Sequence, residues 1–150
     1  MKCVVARGDG DEDRAPGWYR SPMQSPVNLA IWNRSIELAV RVNHLAMQLP
    51  SREAPGLANQ MRRASSSIPA NIAEGSGQES PAQFARFVSI AIASAFELES
   101  HLVLAQRLQP TLPDATAVIS EVRQIRKMMH SFREHQLKKV RELKEVRKAE

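Results

Sequence analysis

Residues 61–78, MRRASSSIPANIAEGSGQ, constrain the fold of this chain more than any other segment. A proline lies inside an otherwise helical pattern, and Gly-Ser-Gly follows it as a stop signal. Because proline lacks a backbone donor and clashes with the preceding turn, we expect one helix kinked at Pro69, near Ser65. The serines at 65–67 are expected to satisfy the freed carbonyl. The apolar stripe that predicts this helix has 4-3-4-4 spacing and contains Leu57, Met61, Ala64, Ile68 and Ile72.

The other periodic segments predict three more helices. Aromatic residues make up only 5% of the 150 residues and hydrophobic residues 43%, so the core must be aliphatic, which suits helices. Ser25-Pro26 predicts the start of the first helix and Pro50 its end. Ser80 predicts the N-cap of a third helix that runs to about Leu108, and Asp114 caps a fourth. Short connections favour antiparallel neighbours, so the predicted fold is an all-α, antiparallel up-down four-helix bundle.

The first predicted helix carries two apolar stripes, whereas the core of one bundle needs only one. The first stripe consists of Leu29, Trp32, Ile36, Val40 and Met47. The second consists of Leu38, Val42, Leu45 and Leu49. A surplus stripe in water would exceed the apolar surface that a monomer normally exposes, so we expect a homo-oligomer.

Three regions are predicted along the chain. Residues 1–27 combine glycines, prolines and an acidic cluster without periodicity, which is typical of a disordered or loosely attached tail. Residues 28–136 form the bundle, and residues 137–150 form a charged helical extension or a tail. The lone cysteine, Cys3, favours a reducing cytoplasm. We expect no membrane partner, because no uninterrupted apolar run is long enough to span a bilayer.

Catalytic and metal sites lack the residue patterns that they need. A di-metal site in a bundle requires Glu-x-x-His on two helices, whereas Glu97 and His101 have the spacing of a helix-surface pair. Cys3 lies in the predicted tail, and Ser65–Ser67 lie inside a helix. Gly75-x-Gly77 lacks the strand and the lysine of a phosphate loop. We therefore predict no enzymatic activity, no metal and no cofactor.

The net charge of +5 is concentrated in the last quarter of the chain, where residues 114–150 hold ten basic and six acidic residues. The apolar seam of the fourth helix faces inward and is expected to leave its cations outside. With few aromatics for stacking on bases, we predict weak, largely sequence-independent binding of RNA or DNA through phosphates. The candidate residues are Arg123, Arg126, Lys127, Arg133, Lys138, Lys139 and Arg141, with Arg62 as a further contributor.

Arg63 is predicted to form an ion pair that holds the second helix against the third. Its candidate partners are Glu74, Glu97 and Glu99.

Two segments, LANQMRRASSSIPANIAEGSGQES and FARFVSIAIASAFELESHLVLAQRL, resemble a bacterial four-helix-bundle family. The family was first noticed as products of intervening sequences in large-subunit ribosomal RNA genes. Its pattern is roughly L-x-x-Q-L-R-R-A, then S-I-P-x-N-I-A-E-G, then a helix that ends in E-L-E. Met61 replaces the second leucine and Ser76 the usual aromatic, and the resemblance covers about residues 28–135. The matching positions to which we assign a structural role are Arg63, Pro69, Asn71, Glu74, Gly75, Glu97 and Glu99.

The resemblance implies an antiparallel bundle that assembles as a pentameric ring. A distant relative is the accessory protein of diversity-generating retroelements, which binds a reverse transcriptase and nucleic acid. Our hypothesis is a non-enzymatic homo-oligomer, a pentamer, that binds nucleic acid or a nucleoprotein partner, including a role as an accessory to a reverse transcriptase. The alternative is a structural or protein-interaction module with no nucleic-acid role.

Overall fold

The computed structural model describes residues 25–50 and 55–149, and its regular structure is entirely helical. A 3-10 turn, Pro26–Asn28, precedes four α-helices. The helices are α1 (Ala30–Met47), α2 (Pro55–Ser76), α3 (Pro81–Leu108) and α4 (Ala115–Ala149). The predicted all-α, four-helix fold class is confirmed over the described part of the chain. The predicted tail, residues 1–27, lies outside the described residues except for its last three.

The first helix begins later than predicted. Ser25 makes no side-chain capping bond, and the chain is extended at Leu29 (φ −94°, ψ 119°), so the turn at Pro26 is separate from α1. Asn33 spans the break, since its Nδ2 donates to the carbonyl of Val27 at 2.7 Å and to that of Leu29 at 3.2 Å. A proline at the first helical position is compatible with a single 3-10 turn as well as with an α-helix, and the sequence pattern does not distinguish them.

Both predicted ends of α3 are confirmed. The hydroxyl of Ser80 accepts a hydrogen bond from the backbone N–H of Gln83 at 3.2 Å, with Pro81 in the first turn, and the helix ends at Leu108. This hydroxyl satisfies one of the donors that every helix start leaves unpaired. Asp114 precedes α4 with a φ of 63°, a left-handed conformation that aspartate tolerates better than most residues.

One apolar stripe from each helix forms the core. In α1 the buried stripe is the one that contains Leu38 and Val42, at 1% and 0% exposure, whereas Val40 and Met47 of the other stripe are 52% and 68% exposed. The fully buried side chains from the other helices include Met61, Ile68, Ile72, Val88, Leu98, Leu102, Val118, Val122, Ile125 and Met129. The second stripe therefore lies in the core, whereas the first is divided: Leu29 and Trp32 pack partly buried against the core, and Ile36, Val40 and Met47 are exposed.

Small residues let α2 and α3 approach each other closely. A Cβ added to Gly75 would lie 2.5 Å from Cδ2 of Phe84 and 3.0 Å from Cβ of Phe87, closer than real Cβ contacts. Two turns earlier in α2, Ser67 shares a hydrogen bond of 2.9 Å with Ser94 of α3, and Asn71 donates to the Ser67 carbonyl at 2.8 Å. Gly75 thus serves the packing between these helices, whereas Asn71 bonds to Ser67 within α2.

The contacts show that the two helices of three neighbouring pairs run in opposite directions. Arg34 and Arg41 of α1 bind Glu121 of α4 and Asp114 just before it, so the partner number falls as the residue number rises. Between α3 and α4, Gln106 binds Thr116, Glu99 binds Arg123, and Phe84 packs edge-on against Phe132. Between α2 and α3, Gly75 meets Phe84 and Ser67 meets Ser94. Antiparallel neighbours make descending pairs of this kind; for α1 and α2, joined by Arg62 and Asn43, the direction stays a prediction.

Pro69 lies inside α2, which is helical without interruption from Pro55 to Ser76. The hydroxyls of Ser65 and Ser66 donate to the carbonyls of Arg62 and Arg63, at 3.0 and 3.1 Å. The expectation that they satisfy the carbonyl freed by Pro69 is therefore wrong, because a serine in a helix reaches the carbonyl three or four residues before it. The kink itself stays a prediction.

Within the described residues, α3 is the one helix long and apolar enough to cross a membrane by length and composition. Its residues Val88, Ala91, Leu98 and Leu102 are buried in the bundle core. A core helix passes the same test, so α3 is weak evidence for a membrane span.

Candidate nucleic-acid interface

The carboxylate of Glu99 on α3 binds two arginines of α4 that the sequence predicts as contacts with nucleic acid. Arg123 Nε donates to Glu99 Oε1 at 2.6 Å, and Arg126 Nη1 donates to Glu99 Oε2. The Glu99 side chain is only 17% exposed. Burial raises its pKa, but the hydrogen bonds and positive charges of the two arginines outweigh this and lower the pKa below the ordinary value. The cluster joins α3 to α4.

Arg126 is further enclosed by an aromatic ring. Its guanidinium lies 4.0 Å from the centroid of the Phe96 ring, and its side chain is 19% exposed. A shallow open depression beside it is lined by Phe96, Glu99, Ser100, Val103 and Arg126. The prediction that the cations of α4 all lie outside is therefore wrong for Arg126. This residue lies on the side of α4 that faces α3, and α3 supplies a carboxylate and an aromatic ring that bind its guanidinium.

The interface between α1 and α4 holds a second arginine pair that the sequence analysis missed. Arg34 forms a fork on Glu121, with Nε to Oε1 at 2.9 Å and Nη2 to Oε2 at 2.8 Å. This hydrogen bond raises the pKa of Arg34, partly opposed by desolvation. Arg41 binds the Asp114 carboxylate at 2.7 Å. The signal available in the sequence was the spacing of two arginines seven residues apart, on one side of a helix.

The cations that face solvent form a narrower set than predicted. Positions 127, 131, 134, 138 and 141 follow 4-3-4-3 spacing and are all exposed. They place Lys127, Lys138 and Arg141 on one face of α4, opposite its buried seam, with Glu134 between them; we call this face the outer strip. Beside the strip, Glu142 lies 3.8 Å from Lys138. The outer strip is therefore positive but interrupted once.

The remaining predicted contacts of α4 are partly buried or are held by a carboxylate. Arg133 is 31% exposed and donates to Glu134 at 3.1 Å, while its Nε is buried without a hydrogen-bond partner. Lys139 is half-buried. Arg123, at 55% exposure, lies one turn before Lys127 on the same face but is held by Glu99. The helix continues through the predicted extension to Ala149.

The arginine pair of α2 is divided between two environments. Arg62 is half-buried and donates to Asn43 of α1 at 3.0 Å and to Asn59 at 3.4 Å, so its role is to bridge α1 and α2. Arg63 is exposed. The prediction that Arg63 forms an ion pair is wrong for the part of the chain that the structure describes, because no carboxylate there pairs with it.

The predicted acidic partners of Arg63 are engaged elsewhere or exposed. Glu99 binds the arginines of α4, and Glu97 contacts His101 at 3.5 Å. Glu74 is exposed at the end of α2, where its carbonyl accepts from the Gln78 amide. Two of the three carboxylates therefore act within or between α3 and α4, and none ties α2 to α3. In the described part of the chain no three histidine, cysteine or acidic side chains form a group that could hold a metal ion.

The described residues define a small helical bundle with an exposed strip of lysine and arginine side chains on α4. The chain belongs to the 23S rRNA-intervening sequence protein family, whose model matches residues 27–131. The match includes Lys127 and ends before Lys138 and Arg141.

A solved structure supports the same assignment. The chain is 28% identical, with a TM-score of 0.62, to a protein of unknown function from the S23 ribosomal protein family of Bacteroides thetaiotaomicron VPI-5482. The comparison covers 68% of this chain and 96% of that one. No curated protein matches this chain.

Proposed function

We propose that this protein is a non-enzymatic, homo-oligomeric scaffold of the cytoplasm that binds nucleic acid through the outer strip of α4. The observation that carries the proposal is the separation of its surfaces. Lys127, Lys138 and Arg141 share one exposed face of α4, while the large exposed apolar side chains lie mainly on α1 and α3. Self-association through apolar faces would therefore leave the cations open to solvent.

Assembly strengthens a strip that is weak in one subunit. Each copy contributes three exposed cations, and a ring repeats them around its circumference, which raises the local potential. Five copies is the number that the family resemblance implies, whereas the exposed stripe of α1 supports self-association without a number. The family description refers to an intervening sequence of 23S rRNA and names no ligand, so RNA and DNA are both to be tested, with RNA first.

A charge-reversal experiment tests the nucleic-acid role. We expect wild-type protein to bind fluorescent single-stranded RNA in anisotropy titrations at low salt, with affinity falling steeply as salt rises. Lys127→Glu/Arg141→Glu should reduce the affinity at least about tenfold, because two phosphate contacts per copy become repulsive. Arg63→Glu/Arg86→Glu makes the same change in net charge on exposed residues of α2 and α3 and should retain most of the binding.

The acidic residue in the strip offers a test in the opposite direction. Glu134 lies between the cations with its side chain 57% exposed. Glu134→Lys should tighten RNA binding and steepen its salt dependence. If the wild type retains no RNA or DNA at low salt, or if both double variants lose binding equally, the outer strip is not the interface.

The rival function is a protein-interaction module without nucleic acid, and it predicts assembly with no retention of any oligonucleotide. A reverse transcriptase as the protein partner remains a prediction of the resemblance. The genes beside this one would help to distinguish the two functions. The informative neighbours are a reverse transcriptase gene and a ribosomal RNA operon.

A further inference from the structure

Two apolar faces remain exposed on different helices of the bundle. On α1, Val40 and Met47 are 52% and 68% exposed, and on α3, Leu104 and Leu108 are 48% and 55% exposed. Each of these helices packs against both α2 and α4, so α1 and α3 occupy opposite corners. The exposed faces therefore point away from each other. Ile36 extends the first face along α1, whereas the exposed Ile90 lies 14 residues before Leu104 and is not part of the second face.

The two faces lie at the same height along the bundle. Arg34 and Arg41 of α1 bind α4 at Glu121 and Asp114, and α3 binds α4 through Glu99 at Arg123 and through Gln106 at Thr116. Residues 34–41 of α1 are therefore level with about residues 101–108 of α3. Both helices run opposite to α4 and thus parallel to each other. Val40 of α1 is level with the segment that contains Leu104 and Leu108.

We propose that the outer face of α1 packs against the outer face of α3 of the next copy, in a head-to-tail interface. The inference rests on the proposed self-association and assigns the surfaces that form it. A rotation about an axis parallel to the bundle keeps heights and helix directions, so it brings α1 of one copy beside α3 of its neighbour. A two-fold contact of α1 with α1 would leave the α3 face in water. Head-to-tail packing covers both faces with one repeated interface, and closure produces a ring.

Charged residues beside the two faces are complementary. Glu37 lies three residues after Arg34 and four before Arg41, so it borders the α1 face on the side of α4. Arg107 lies four residues after Val103, which is itself four after Glu99, and so borders the α3 face on the side of α4. Both are exposed and nearly level. In a ring, the α4 sides of both faces lie at the same edge of the interface, so Glu37 of one copy lies opposite Arg107 of the next.

Cysteine cross-linking distinguishes this interface from others. In a Cys3→Ser background, Val40→Cys and Leu104→Cys proteins are prepared separately, mixed, and treated with a short bismaleimide. We expect a cross-linked dimer from the mixture, little from either protein alone, and a ladder of multimers from a chain that carries both cysteines. Ser120→Cys, on the exposed face of α4, is the matched control and should not cross-link to Val40→Cys.

A charge swap provides the second measurement. Glu37→Arg or Arg107→Glu alone should raise the concentration for half-assembly in light scattering about 5-fold, the equivalent of an exposed ion pair of about 1 kcal/mol, and the double variant should restore it. Cross-linking of Val40→Cys only to itself, or no restoration by the double variant, overturns this interface while leaving self-association intact. A monomer at every concentration overturns both. A failure of RNA binding with assembly intact would contradict the nucleic-acid role, and the results for the interface and for self-association would stand.

Discussion

Replacing Gly75 with alanine should destabilise the protein, although alanine is the better helix former. The added Cβ would lie 2.5 Å from Cδ2 and 3.0 Å from Cε2 of Phe84, and 3.0 Å from Cβ of Phe87. Phe84 cannot easily move aside, because it is 7% exposed and packs edge-on against Phe132 with centroids 4.9 Å apart. Either the ring leaves its position or α2 moves away from α3.

The magnitude follows from two opposing effects. Overpacking of a filled core costs about 1–3 kcal/mol. The change from glycine to alanine inside a helix returns about 0.5–1 kcal/mol. We therefore expect Gly75→Ala to lower the free energy of unfolding by about 1–2 kcal/mol. Gly56→Ala is the matched control, since nothing lies within 4 Å of its added Cβ, and it should leave stability unchanged or slightly higher.

Urea denaturation followed by circular dichroism measures both variants, at one protein concentration because assembly contributes to stability. The midpoint should fall for Gly75→Ala and hold for Gly56→Ala. In a Phe84→Leu background the cost of Gly75→Ala should shrink, since the ring that it meets is gone. A Gly75→Ala protein as stable as the wild type, or a cost unchanged by Phe84→Leu, would refute the argument from close approach.

Two further changes test other contacts. Glu99→Gln should lower stability by about 1–3 kcal/mol near neutral pH because Arg123 and Arg126 lose a charged acceptor. Since the folded pKa of Glu99 is lowered, its contribution is present above its unfolded pKa of about 4.3 and is lost as pH falls through the folded value, so stabilities of variant and wild type measured by urea titration should converge in acid. Pro69→Ala supplies the donor that the Ser65 carbonyl lacks and should straighten α2; a crystal structure of the variant with an unchanged helix axis, and an unchanged assembly, would contradict the predicted kink.

Local sequence patterns predicted much of the fold. Stripes spaced three and four residues apart, with proline and serine at the helix starts, predicted four helices because a helix repeats every 3.6 residues and its ends need caps. The Ser80 cap, the buried seam of α4 and the two-stripe character of α1 all follow from spacing alone. The start of α1 did not, because Pro26 suits a 3-10 turn and an α-helix equally.

Tertiary structure decided which cations of α4 face solvent. Periodicity places Arg126 and Lys127 one position apart on α4, yet the first is enclosed by Glu99 and Phe96 of α3 while the second faces solvent. No pattern within α4 reports which carboxylate a neighbouring helix will offer, since that depends on the rotation and height at which two helices pack. Composition therefore predicted a basic helix, and only the packing of α3 against it determined which cations remain available to a ligand.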